Sequence, residues 1–208
     1  LYGPGPISGP YSVGPVRIGT PICEDAWFSE VSETLAETGA EILLVPNGSP
    51  YYRGKFDSRM AHMVARTVET GLPLVYLNMV GGQDDQIFDG GSFVLNPHGI
   101  LAVQKPLFDE CLTHVDFTKT DHGWRAESGD KAVFPDHWEQ DYRVMVTALR
   151  DYMGKAGFTK AVLGLSGGID SAIVAAIAAD ALGPENVRCV MLPSEYTSAH
   201  SLEDAAGV

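Results

Sequence analysis

Two short stretches carry residue types that can do chemistry. The first is PICEDAW, residues 21 to 27, where Cys23 ends an apolar run and directly precedes Glu24 and Asp25. Only the thiolate is a nucleophile, and adjacent negative charge opposes its formation. A reactive Cys23 therefore needs a cation beside it, or the N-terminus of a following helix. The same residues also suit a small cysteine buried in a core, a common use of a free thiol. Local sequence leaves both readings open.

The second is LGLSGGIDS, residues 163 to 171, between a strand-like apolar run and an Ala-rich helical run. Gly167 and Gly168 let backbone approach an anion closely, and the amides of a following helix supply positive potential. Ser166 and Ser171 add hydroxyls. Asp170 repels a phosphate unless a divalent cation lies between them, so it points to Mg²⁺. The lysine of GxxxxGK[ST] is missing, which excludes that kind of P-loop. A plain tight turn capped by Asp170 or Ser171 would use the same residues without a ligand.

The elements that must position these residues alternate. Residues 16–23 are a β-prone run ending at the cysteine, and 29–39 have helical spacing with a glycine stop. Residues 40–50 read as a buried strand ending in a Pro-Asn-Gly-Ser-Pro turn. Residues 55–71 read as a helix with Phe56, Met60, Met63, Val64 and Val68 on its inner face, and 72–80 as another buried strand. GGQDDQIFDGG, 81–91, reads as a loop, and 92–104 as a hairpin turning at Asn96 to Gly99. Residues 118–137 show no clear periodicity and read as a linker between domains at 1–117 and 138–208. Beyond it come an amphipathic helix at 138–157 and a complete βαβ unit at 160–193, which implies parallel strands. The fold class is α/β.

Composition narrows the partners. The 208 residues carry a net charge of -13, which argues against nucleic acid, since binding phosphates along a strand needs Lys and Arg. The cysteines at 23, 111 and 189 form no CxxC pair and no disulfide framework, so Cys111 and Cys189 are read as structural. No apolar run approaches the ~20 residues of a membrane span, and no signal peptide is seen. The expectation is a cytoplasmic protein acting on small molecules. The six histidines form no HxH or HxxxH pair, and QDDQIFD lacks the spaced carboxylates of a calcium loop. The chain opens at Leu1 and ends as a helix starts, so a piece of a longer protein is expected.

SGGIDS in this setting resembles the pyrophosphate-binding loop of the N-type ATP pyrophosphatases, which activate a carboxylate or carbonyl as an adenylate for attack by ammonia. The sequence from Tyr142 through MLPSEYTSAHSLEDA is similar to the start of the NAD⁺ synthetase family domain. The resemblance implies that Gly164, Leu165, Ser166, Gly167, Gly168, Ile169, Asp170 and Ser171 hold ATP phosphates. It implies Mg²⁺ at Asp170, and deamido-NAD⁺ as the substrate whose carboxylate becomes an amide.

VRIGTPICEDAW, AEILLVPNGSPYYRGKFDSR and GLPLVYLNMVGGQDDQIFDGGSFVLN resemble the C-terminal half of a nitrilase-family glutaminase domain, over roughly residues 1–117. That resemblance makes Cys23 the nucleophile: it attacks the glutamine carboxamide, ammonia leaves, and water frees glutamate from the thioester. The backbone amide of Glu24 and a family lysine would hold the oxyanion. Ser49 and Lys55 would bind the glutamine α-carboxylate. The fold implied is the C-terminal half of a nitrilase-like α-β-β-α sandwich, then the start of a doubly wound parallel sheet. A homo-oligomer is implied as well. The family's activating Glu and Lys lie upstream of the nucleophile; here no acid precedes Cys23 and Arg17 is the only cation before it. A chain complete as given would not be expected to hydrolyse glutamine. Another ATP-dependent glutamine amidotransferase and an inactive truncated chain are the rival readings.

Overall fold

A computed structural model describes residues 5–208. They fall into two compact units, one holding the chain up to Val80 and Phe88–Phe134, the other Gly81–Ile87 and Pro135–Val208. In the first, β1 (Tyr11–Val13) and β2 (Val16–Gly19) form a hairpin. α1 (Ser29–Glu37) leads from β2 to β3 (Ile42–Asn47), and α2 (Lys55–Thr70) from β3 to β4 (Leu74–Asn78). β2, β3 and β4 run parallel, as helical crossovers between them require. β5 (Val80–Gln83) and β6 (Gln86–Asp89) pair with each other. β7 (Phe93–Asn96) then adds antiparallel to β4, and β8 (Ile100–Gln104) antiparallel to β7, giving a six-stranded sheet in the order β1-β2-β3-β4-β7-β8.

Period-two alternation sends Leu43 and Val45 of β3 and Leu74 and Tyr76 of β4 to one face, where they pack with Leu35 of α1 and Met63 of α2. Tyr76 stacks on Phe93 with ring centroids 4.8 Å apart. On the opposite face Val94 and Val103 meet Ala126, Val115 and Phe117.

Four sequence expectations change here. Residues 80–89 form the β5–β6 hairpin where a loop was expected, with Asp84 at positive φ in the turn. Residues 117–126, mostly assigned to the linker, form the hairpin of β9 (Phe117–Thr120) and β10 (Gly123–Ala126). It is fastened to β7 by Asn96, whose side chain bonds Ala126 in both directions at 2.8 and 2.9 Å. Short polar strands of this kind carry too little apolar alternation to be read as strands. The inner face of α2 is also rotated: Val68 is 54% exposed, while Arg59 and Thr67 are buried beside Met63. Finally, Cys111 and Cys189 are exposed and fill no core.

In the second unit, α3 (His137–Lys155) starts at Asp136, whose carboxylate accepts from the amides of Trp138 and Glu139 at 2.9 and 3.0 Å. β11 (Ala161–Gly164), α4 (Ile169–Leu182) and β12 (Val187–Val190) make the βαβ unit, with parallel strands, and α5 (Ala199–Gly207) follows. Leu165, Ala175 and Ala205 form its small core.

Candidate active site

In the first unit the chemistry gathers where ligands bind open parallel sheets, beyond the carboxyl ends of the strands. Past β2 the chain reaches Cys23, which opens a 3₁₀ turn, Cys23–Trp27. Cys23 has φ 52°, a left-handed conformation that costs a side-chain-bearing residue about 1 kcal/mol or more. Asp25 holds this turn: its carboxylate accepts from the Ile22 amide at 3.0 Å. That carboxylate thus has a structural task. Glu24 is exposed, and Cys23 is partly buried.

Past β3 the chain reaches Ser49 and then Lys55, the first residue of α2. Lys55 is buried, and its ammonium lies over the rings of Trp27 and Tyr52. Trp27, which closes the cysteine turn, also stacks on His62 of α2 with centroids 5.0 Å apart. The cysteine turn and the start of α2 are therefore packed together through one indole. Gly54 precedes α2 in a left-handed conformation and offers no capping side chain. A cation at an uncapped helix N-terminus adds to the dipole and makes a local anion site.

Ser49 is buried and fully engaged on its backbone side. Its amide donates to Asn78 Oδ1 at 2.9 Å, and its carbonyl accepts from Arg59 Nη2 at 2.6 Å and Asn78 Nδ2 at 3.2 Å. Arg59 Nε donates to Ser49 Oγ at 3.0 Å, and Nη1 meets Asp89 Oδ1 at 2.8 Å. Burial pushes the Asp89 carboxyl above its ordinary range, against the pull of the Arg59 guanidinium. Tyr76 closes this floor from β4. Burial raises its hydroxyl to about 12; Arg59 and Ser49 oppose the rise, and the nearby Cys23 and Asp89 add to it.

In the second unit, Gly168 precedes α4 with no side-chain cap, so the first-turn amides stay open to an anion. Ser171 Oγ donates to the Gly168 carbonyl at 2.9 Å and accepts from the Ser166 amide at 3.2 Å, which fixes the loop shape. Gly167 has φ 82°, and a Cβ there would collide with the Ser201 carbonyl oxygen. Leu165 is buried in the core, leaving only its backbone for a ligand, while Ile169 is exposed. Among the described residues no cluster of three His, Cys, Asp or Glu side chains could hold a metal.

Comparison with known proteins assigns the first unit. The family model for carbon-nitrogen hydrolase matches residues 1–122. The chain belongs to the carbon-nitrogen hydrolase family. A model described as NAD synthase matches residues 141–208. This carbon-nitrogen hydrolase chain is 61% identical over 206 residues to the glutamine-dependent NAD(+) synthetase of Rhodobacter capsulatus, covering 99% of the chain and 37% of that relative. It is 44% identical over 195 residues to the protein of that name from Xanthomonas campestris, covering 34% of it. The glutamine-dependent NAD+ synthetase of Acinetobacter baumannii, solved with adenosine diphosphate, superposes with a TM-score of 0.87 at 41% identity, over 95% of this chain and 37% of that one. The chain thus spans little more than a third of the relatives it matches.

For a carbon-nitrogen hydrolase the arrangement is apt: a thiol on a strained turn, a caged cation and an uncapped helix start share one edge of the sheet. Sequence reading picked out Cys23, Ser49 and Lys55 but missed Arg59, Asn78, Asp89 and Tyr76. One signal was available: Lys55, Arg59 and Met63 recur every four residues, so an arginine shares a face with a core methionine. Asp89 and Asn78 had no such signal, because their pairing crosses the β5–β6 hairpin.

Proposed function

We propose that this chain is part of a glutamine-dependent NAD⁺ synthetase. The observation that carries this is the shared edge of Cys23, Ser49 and Lys55, on one chain with the glycine loop before α4. Released ammonia is useful only if an acceptor is activated by the same enzyme. Cys23 Sγ adds to the side-chain carbonyl carbon of glutamine, the C–N bond breaks, and ammonia departs with the proton delivered to its nitrogen. Water then cleaves the thioester to glutamate and restores the thiol. The Glu24 amide receives the developing oxyanion. Lys55 and Ser49 hold the α-carboxylate, which fixes the carboxamide over the sulfur.

In the second unit the open amides of Ile169, Asp170 and Ser171 receive ATP phosphates, with Gly164 to Gly168 allowing close approach. One carboxylate together with phosphate oxygens and water is an ordinary magnesium set, so the exposed Asp170 fits that ion. The ion would screen Asp170 from the phosphates. The adenylated acceptor is the nicotinate carboxylate of deamido-NAD⁺. Three free cysteines fit a reducing, cytoplasmic setting, and a homo-oligomer is part of the same reading.

The test uses the full-length protein with Cys23→Ala. NAD⁺ formation from glutamine should vanish while formation from free ammonia persists. Equal loss with both nitrogen donors would refute two separate sites.

A further inference from the structure

Among the described residues, the Arg59–Asp89 pair is the most heavily buried ion pair of the first unit, with side chains 0% and 2% exposed, and the proposed glutamine chemistry does not use it. Burying two charges is costly, and apolar residues of similar volume often do as well. A purely structural account therefore leaves the pair unexplained. Its geometry points at one residue. Arg59 spends Nε on Ser49 Oγ and Nη2 on the Ser49 and Pro50 carbonyls, at 3.0, 2.6 and 3.2 Å. Nη1 reaches Asp89, and Asp89 is tied in turn to Asn78 Nδ2 at 3.4 Å. Asn78 closes the ring on the Ser49 amide.

This wiring has a chemical consequence. A serine hydroxyl both donates one proton and accepts. With a guanidinium N–H directed at its oxygen, Ser49 Oγ spends one of its two lone pairs on a charge-assisted bond, which polarises the hydroxyl and makes it a better donor. The guanidinium's own charge is balanced by Asp89, so Arg59 does not compete with Lys55 as counter-ion. We propose that Arg59, anchored by Asp89, is a positioning residue that fixes Ser49 Oγ and biases its hydroxyl toward donating, so that the site favours a carboxylate at that point. The inference rests on the glutamine reading above and names what confers its α-carboxylate selectivity.

Arg59→Lys in the full-length protein keeps a cation for Asp89 but removes the fork on Ser49. Ammonia release is measured with glutamine and with γ-aminobutyramide, which lacks the α-carboxylate. The glutamine KM should rise about tenfold, the worth of one charge-assisted hydrogen bond, with kcat little changed. The KM for γ-aminobutyramide should stay at its unsubstituted value. Adding Arg59→Lys to Ser49→Ala should raise the glutamine KM no further than Ser49→Ala alone. Equal rises with both amides, or additive penalties in the double variant, would overturn the proposal. If thermal melting shows that Arg59→Lys does not fold, Asp89→Asn carries the same expectation, because it keeps the guanidinium and loosens its anchor. Glutamine use that survives Cys23→Ala would defeat the glutamine reading itself. A normal glutamine KM in Arg59→Lys, with Cys23→Ala inactive and Ser49→Ala impaired, would defeat only this inference.

Discussion

The Lys55 ammonium lies 4.2 Å from the centroid of the Trp27 ring, and Trp27 closes the turn that Cys23 opens. Tyr52 holds the same ammonium from a second side at 4.7 Å. A lysine stem normally carries considerable rotamer freedom, and two aromatic faces remove much of it before a ligand arrives. Lys55→Met should raise the glutamine KM at least tenfold, since a buried carboxylate loses its counter-ion. Trp27→Leu should raise it only about threefold, because the cation stays and only its restraint goes. Steady-state kinetics of ammonia release checks both; an unchanged KM in Lys55→Met would remove Lys55 from carboxylate binding.

Cys23 sits at φ 52°, where a Cβ is strained and glycine is not. Cys23→Gly and Cys23→Ala should both lose glutaminase activity. Cys23→Gly should nevertheless be the more stable of the two by about 1 kcal/mol, read from urea midpoints. The reverse order would mean that the turn is not under strain.

Asp170→Asn should weaken ATP use and raise the magnesium concentration needed for half-maximal NAD⁺ formation, while ammonia release from glutamine continues. Gly167→Ala should weaken ATP use more, because its Cβ meets the Ser201 backbone and the loop must move. Measuring ATP KM against magnesium for each variant decides this. A magnesium dependence identical to that of the unsubstituted enzyme would take Asp170 out of the metal role.

Glu41 joins strand and hairpin, accepting from the Arg17 amide at 3.0 Å and from Lys119 at 3.1 Å. The Arg17 amide chiefly, then Lys119, holds its carboxyl below the ordinary 4.5. As pH falls through that range the unfolded chain takes up this proton first, so the Glu41 contribution is present above it and fades below. Glu41→Gln should therefore lower the melting temperature at neutral pH, and the difference from the unsubstituted protein should shrink as pH falls below the ordinary carboxylate range. A gap that does not change with pH would show that the charge is irrelevant.

Much of this was legible in residue order because the signals are local. Gly71 stops α2 in a left-handed conformation where a glycine stop was read, and the βαβ unit around SGGIDS has the expected parallel strands. Met63, assigned to the core by helical spacing, is fully buried. The hairpins at 80–89 and 117–126 escaped because their strands are four residues long and mostly polar, so pairing and not periodicity creates them.

PICEDAW by itself posed a nucleophile with two acids beside it and left the matter open. Sequence determined that a thiol, a serine and a lysine lie at the ends of successive α/β elements, because strand, helix and turn signals are short-range. Tertiary structure alone decided what surrounds them. It turned Asp25 back onto the Ile22 amide, caged Lys55 between Trp27 and Tyr52, and drove Arg59 inward to Ser49 and Asp89. The partners of Arg59 are ten and thirty residues away in sequence, and only the burial of charge in a closed core selects them over water.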